Sequence, residues 1–243
     1  MEISFVILTW NRYKFLEKCL EQLLSSIKDI NQCEVVVMDN GSTDATAAVL
    51  EAYADNKHVK VITRDANYGL NAYKKLFKAA AGEYIVIVDD DVLGFPEGVD
   101  KIFLDYMKAF PDYGFLALNV IQNEFTNGAK PGPEAYVEET RDGKVIERGP
   151  TGGWCACFRA KEFRKIKFLF SLMNLNMKRS EDGLLAKLFQ KRLGLKSGLI
   201  KEATCFHACG PYYAKEFGHL EREIEKYAKS GLKNFVDEYK KYI

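Results

Sequence analysis

The chain has 243 residues, a formal net charge of +1, 47% apolar residues and 28% charged residues. This supports one large packed domain, or one domain with a small appendage, and excludes a disordered chain. The near-neutral balance gives no support to nucleic-acid binding through a broad basic surface, so no nucleic-acid partner is expected.

The N-terminal stretch MEISFVILTWNR has no basic region ahead of its apolar run and no small-residue cleavage site after it, so it reads as a first strand rather than a signal peptide. The longest apolar runs, such as FVIL and YIVIV, fall far short of the roughly 20 residues of a spanning helix. A soluble, cytoplasmic protein is expected, with peripheral contact at the inner face of a membrane as an additional option. The six cysteines include Cys155-x-Cys157 and Cys205-x3-Cys209, which lack the usual CxxC zinc spacing and read as buried thiols.

Along the chain, residues 3–9 form an apolar, β-branched run, and 13–27 place Phe15, Leu16, Cys19, Leu20, Leu23 and Leu24 at helical spacing. A second strand is expected at 34–38, a turn-rich loop at Asp39–Asp44, a helix at 45–54 and a third strand at 59–63. A helix over 70–81 with Gly82 as its C-cap, a fourth strand over 84–88, a helix over 99–110 and a strand over 114–120 follow. Beyond these come a Gly/Pro/Asn-rich loop at 123–133, a hairpin of 136–140 and 144–148, and a strand opened by Gly152-Gly153-Trp154. A helix over 181–193, a strand over 199–206 and one or two amphipathic helices over 214–242, with Gly231 as a break, complete the chain.

The β-α-β-α-β-α-β order with continuous apolar strands predicts an α/β fold with a mostly parallel, Rossmann-like sheet flanked by helices. Ligands of such sheets bind beyond the carboxyl ends of the strands. Asn11, Asp39 and Asp89–Asp91 all follow strands and would converge on one edge. Three adjacent carboxylates repel one another unless a cation or solvent relieves them, and hard oxygen ligands suit Mg2+ or Mn2+. His207 follows a strand and could complete a metal site. Glu181-Asp182 opens a helix, where one carboxylate could serve as a general base or simply complement the helix dipole. Gly153 and Trp154 could meet a sugar, although Trp154 could equally belong to the core. Arg159, Lys161, Arg164, Lys165 and Lys167 read as a solvated face that could also meet an anionic acceptor or a lipid headgroup.

The ordered series Thr9-x-Asn11-Arg12, Val37-x-Asp39-Asn40-x-Ser42-x-Asp44, Asn67-x-Gly69, Ala81-Gly82-Glu83-Tyr84, Val88-Asp89-Asp90-Asp91, Glu181-Asp182 and His207 resembles the family 2 glycosyltransferases of GT-A fold, over about residues 2–210. The resemblance implies that Asp39 recognises the nucleobase, with Thr9 and Arg12 lining that pocket. Asn11, Asn40, Ser42, Asn67, Gly69 and Asp90 would complete the donor site, and Asp89 would face the ribose. Asp91 and His207 would ligate Mn2+ or Mg2+, Asp182 would be the catalytic base with Glu181 orienting it or the acceptor, and Gly153 and Trp154 would meet the acceptor. Lys74-Lys75-Leu76-Phe77 departs from the Arg-Asn-x-Gly-like stretch that relatives often carry there.

The implied organisation is a GT-A domain at 1–210, with a nucleotide-sugar half at 1–120 and an acceptor half at 121–210, followed by a helical extension at 211–243. The implied reaction is metal-dependent, inverting hexosyl transfer from a nucleoside-diphosphate sugar, UDP-linked by expectation, to a hydroxyl of a glycan or lipid-linked acceptor. This is a step of glycan, polysaccharide or glycolipid biosynthesis. The tail could pack on the domain, pair two copies or touch a membrane. Competing readings are a sugar-nucleotide-forming nucleotidyltransferase, a non-catalytic nucleotide-sugar-binding protein and a haloacid-dehalogenase-type phosphatase.

Overall fold

A computed structural model describes residues 1–126 and 130–243. Strands β1 (Ile3–Thr9), β2 (Cys33–Asp39), β3 (Val59–Thr63) and β4 (Tyr84–Asp89) alternate with helices α1 (Tyr13–Ser26), α2 (Thr46–Glu51) and α3 (Tyr73–Ala79). β1, β2 and β4 are buried at most positions, because a parallel sheet covered on both faces has no wet side. β1 pairs in parallel with both β2 and β4, with Thr9 opposite Asp39 and Leu8 opposite Asp89. The carboxyl ends of these strands are therefore level, and the polar residues that follow them share one edge.

Then come β5 (Val92–Gly94), α4 (Val99–Ala109), β6 (Tyr113–Val120), β7 (Val137–Arg141), β8 (Lys144–Arg148), β9 (Cys155–Arg159), α5 (Ala160–Leu172), α6 (Glu181–Leu193) and β10 (Lys196–His207). Three helices end the chain: α7 (Pro211–Glu216), α8 (Leu220–Lys229) and α9 (Lys233–Lys240). The strand order is β3-β2-β1-β4-β9-β6-β10-β8-β7, with β5 pairing to β10 off this path. β9 runs antiparallel between β4 and β6, whereas β6 and β10 are parallel. The core fills both faces of this sheet, with Phe77, Phe158, Phe163 and Phe170 in edge and tilted contact under α3 and α5.

Most elements lie where the sequence places them, and the differences have physical causes. The 70–81 helix begins as a 3-10 turn at Gly69–Ala72 and its α-helical part ends at Ala79, so Gly82 caps nothing. A Cβ at Gly82 would lie 2.5 Å from the Ser4 backbone nitrogen, so glycine is needed there for close approach to β1. The hairpin turns on Asp142 and Gly143, at φ 49° and 74°, the left-handed pair of a two-residue turn. α5 was not expected as a helix. Arg159 departs from the solvated basic run: its guanidinium donates to the carbonyls of Tyr113, at 2.6 Å, Phe110 and Met107. Residues 127–129 of the expected 123–133 loop lie outside the described residues. The cysteines form no disulfide, and Cys19, Cys33, Cys155, Cys157 and Cys205 are buried.

The tail folds back onto the domain. Phe217 stacks on Phe15 of α1 at 4.2 Å, and Tyr239 is buried with Ala214 and Leu220. Gly218 and Gly231, at φ 74° and 69°, make the breaks around α8, the second as the sequence predicts.

Candidate active site

A cavity of about 920 Å³ opens at the carboxyl edge of β1 and β4. Its floor is the acidic run. After Asp89 the chain turns through Asp90 and Asp91 into β5, which pairs with the end of β10 and sets Val92 opposite His207. The Ala208 amide donates to the Asp91 carbonyl at 2.8 Å. This pairing brings together groups 116 residues apart: His207 Nε2 lies 3.0 Å from Asp91 Oδ1 and 3.7 Å from Asp89 Oδ2. Ligand atoms of Asp89, Asp91 and His207 all lie within 4.8 Å of one another, and two hard carboxylates with an imidazole suit Mn2+ or Mg2+.

Arg12 crosses the same carboxylates. Its guanidinium lies 2.7 Å from Asp90 Oδ1 and 2.6 Å from Asp91 Oδ2, with Glu223 of α8 at 3.9 Å. Thr9 donates to the other oxygen of Asp90 at 2.7 Å. Burial opposes ionisation of Asp91, but Arg12 and His207 outweigh it and hold this carboxyl well below the ordinary range. Burial, opposed by His207 and reinforced by Asp91, pushes Asp89 up to about 7. Burial also raises Asp90 against the pull of Arg12. The three aspartates thus differ in charge behaviour because Arg12 and His207 both favour Asp91.

The same cavity is lined by a second pair of carboxylates. Glu181 and Asp182 form the first turn of α6, and both line the cavity. Glu181 is buried with Oε2 lacking a hydrogen-bond partner; burial, then Asp182 and Asp89, raise its carboxyl well above the ordinary range. Asp182 is less buried and accepts the Gly183 amide at 2.6 Å. β9 delivers Gly153 to this point, because the Asp89 amide donates to the Trp154 carbonyl at 2.9 Å. A Cβ at Gly153 would lie 3.1 Å from Asp182 Cβ and 3.4 Å from Glu181 Oε1, so a side chain there would press on the two acids.

Other expected residues hold the surrounding loops. Asn40 lines the cavity but is buried: its amide donates to Asn67 Oδ1 at 2.9 Å and to the Gly69 carbonyl, and its oxygen accepts from the Tyr68 amide. Asn67 and Gly69 line the wall it braces. Asn11, at φ 52°, accepts from the Thr43 amide and donates its own amide to Ser42 Oγ. Asp39 accepts from the Ser42 amide at 2.9 Å and does not line the cavity; Asn11 and Ser42 do not line it either. Arg12 lines the cavity and also binds the acidic run. Trp154 is 5% exposed and donates its indole N–H to the Leu118 carbonyl at 2.8 Å, so its ring belongs to the core rather than to a sugar platform.

Sequence reasoning missed the roof. Arg222, Glu223, Lys226 and Tyr239 of the tail line the cavity, as do Leu175 and Asn176 from the loop between α5 and α6. Glu223 is a hub for Arg12, Arg222 and Lys226; burial opposes its charge, but these cations, Lys226 first, lower it to about 2. The signal was the helical spacing of Arg222 and Lys226, which acquires meaning only once α8 is known to fold back.

The mixed sheet, with two groups of acidic residues lining one cavity at its carboxyl edge, has the architecture of a GT-A fold. The chain belongs to glycosyl transferase family 2, whose family model matches residues 4–166. A validoxylamine A glucosyltransferase of Streptomyces hygroscopicus subsp. jinggangensis is 27% identical over 175 residues, covering 71% of this chain and 41% of that protein. The chain spans less than half the length of the curated relatives it matches. Among solved structures, the mannosyltransferase PcManGT of Pyrobaculum calidifontis, in complex with GDP-Man and Mn2+, has a TM-score of 0.65 at 17% identity, covering 94% of this chain and 64% of that one. Residues 1–349 of S. aureus TarS, in complex with UDP-GlcNAc, give a TM-score of 0.64 at 16% identity, covering 85% and 58%. These likenesses establish the GT-A fold.

Proposed function

We propose that the protein is an inverting glycosyltransferase that moves a sugar from a nucleoside-diphosphate sugar, read as UDP-linked, to an acceptor hydroxyl. The observation that carries this reading is that the Asp89–Asp91–His207 group and the Glu181–Asp182 pair line one cavity. Family membership supports a nucleotide-sugar donor, and the neighbours solved with UDP-GlcNAc or GDP-Man and Mn2+ support the donor class and a metal.

Asp91 and His207, with Asp89 beside them, would hold Mn2+ or Mg2+. When bound, the cation offsets the negative charge that grows on the leaving diphosphate. Asp182 accepts the proton of the acceptor hydroxyl. The freed oxygen forms a bond to the anomeric carbon as the bond from that carbon to the diphosphate breaks, on the opposite face. The products are the glycosylated acceptor with inverted configuration and a nucleoside diphosphate. Glu181, whose carboxyl burial raises above the ordinary range, lies beside Asp182 and orients it or the acceptor, and Gly153 leaves space next to the two acids. Thr9, Arg12, Asn67 and Gly69 belong to the donor side, where Arg12 must share Asp91 with the cation.

Incubation with nucleotide-sugars and Mn2+ should release nucleoside diphosphate. Asp182→Asn should lower kcat by about 10²–10⁴-fold while donor binding persists. Release of pyrophosphate, or full turnover by Asp182→Asn, would overturn the assignment.

A further inference from the structure

α5 presents a face that the cavity does not use. Phe163, Ile166 and Phe170 are buried against the sheet. Lys161, Lys165, Phe168 and Leu172 follow one another at steps of four, three and four, which places them on the opposite stripe of the helix. Phe168 is 72% exposed and Leu172 65% exposed; among the described residues only the C-terminal Ile243 exceeds them as a large exposed apolar side chain. Arg164 and Lys167 flank the stripe and are also exposed.

The charge around this stripe is concentrated. Residues 160–193 contain nine Lys and Arg against three Asp and Glu, in a chain whose total is +1, so the rest of the chain is net negative. Two of those three acids, Glu181 and Asp182, line the cavity. Only Glu162 remains on the outer side, where it pairs with Lys165 at 2.6 Å. On the neighbouring α6, Lys187 and Lys191 are exposed one turn apart and extend the basic surface.

We propose that this face of α5, extended by α6, docks the protein on an anionic lipid bilayer. Protruding Phe and Leu side chains among cations suit the interface of such a bilayer: the apolar groups enter the acyl boundary while Lys and Arg meet the headgroups. A second copy paired symmetrically through this face would bring its cations against one another. A soluble polyanion would meet the cations but leave Leu172 in water. No helix among the described residues is long and apolar enough to cross a membrane.

Docking here also orients the site. α5 leads directly into the loop whose Leu175, Asn176, Met177 and Ser180 line the cavity, and Asn71 ties that loop to the domain through Asn174 and the Leu175 backbone. A bilayer under α5 therefore lies beside the cavity rim on the Glu181–Asp182 side. Resting on the glycosyl-transfer reading, this points to an acceptor carried on a lipid.

The test is cosedimentation of the whole protein with phosphatidylcholine vesicles, pure or mixed in equal parts with phosphatidylglycerol, without donor or acceptor. Binding should require phosphatidylglycerol and weaken as salt is raised. Phe168→Ser/Leu172→Ser should weaken binding by about ten-fold or more, and Lys161→Gln/Lys165→Gln by about five-fold per charge. Both variants should keep the nucleotide affinity of the parent in solution, which reports on folding and on the transfer reading separately. Absence of sedimentation with the anionic vesicles at low salt overturns the proposal. So does undiminished binding by the Ser variant, or concentration-dependent self-association that the same substitutions abolish, which would make the face a contact between copies.

Discussion

Replacing Arg12 by alanine strips the cation from two buried carboxylates at once. The guanidinium, 14% exposed, makes close contacts of 2.7 and 2.6 Å to Asp90 and Asp91, whose side chains are 4% and 10% exposed. Glu223 loses only its longest contact and keeps Arg222 and Lys226. Removing one partner of a buried ion pair costs about 3–5 kcal/mol, because the remaining charge is left uncompensated. For a domain of this size that corresponds to a fall in melting temperature of about 6–20 °C.

The pH dependence has a definite sign. Arg12 favours the ionised form of Asp91, whose folded-state carboxyl lies well below its ordinary value, so this stability is present above about pH 4 and is lost as pH falls through the folded value. The gap between parent and Arg12→Ala should therefore be widest near neutrality and narrow in acid. Mn2+ should raise the melting temperature of the variant more than that of the parent, because the cation then meets carboxylates with no competing guanidinium. Urea and thermal unfolding across pH, with and without Mn2+, measure all three effects. A neutral-pH loss under about 1 kcal/mol, as for an exposed pair, or a gap that widens in acid, would refute the reasoning.

Other substitutions separate catalysis from packing. Gly153→Ala places a methyl group 3.1 Å from Asp182 Cβ and should lower kcat by about ten-fold or more, with donor affinity unchanged in a binding titration. Trp154→Phe leaves the Leu118 carbonyl without its donor and should cost about 1–3 kcal/mol in urea unfolding, while KM for an acceptor stays the same. Glu181 has a folded-state pKa raised by burial, so its contribution to stability is complete below the unfolded value and is lost as pH rises through the folded one. Glu181→Gln, uncharged at every pH, should remove that loss from the stability profile; an unchanged profile would show that burial does not raise the Glu181 carboxyl.

The elements of the first half were legible because their physics is local. A strand buried on both faces must be apolar throughout, as in β1, β2 and β4, and α1 must carry apolar residues on one face. The placement of Asn11, Asp39 and the aspartates after strands followed from the same pattern. α5 escaped notice because its exposed stripe mixes Lys with Phe168 and Leu172, which blurs the contrast between a buried and a wet face. Gly82 looked like a helix cap because sequence spacing does not show the approach of β1 to its Cα.

The sequence by itself determined the alternating order of strands and helices, the position of the carboxylates at strand and helix ends, and the resemblance that linked them. Each depends on neighbours within a few residues or on an ordered set of short motifs. Tertiary structure alone decided how those groups are shared. It set Arg12 across Asp90 and Asp91, brought His207 to Asp91 through the β5–β10 pairing, and put Trp154 in the core. It also folded the tail over the cavity and turned Phe168 outward. These outcomes rest on contacts between segments tens to hundreds of residues apart, whose geometry no local pattern carries.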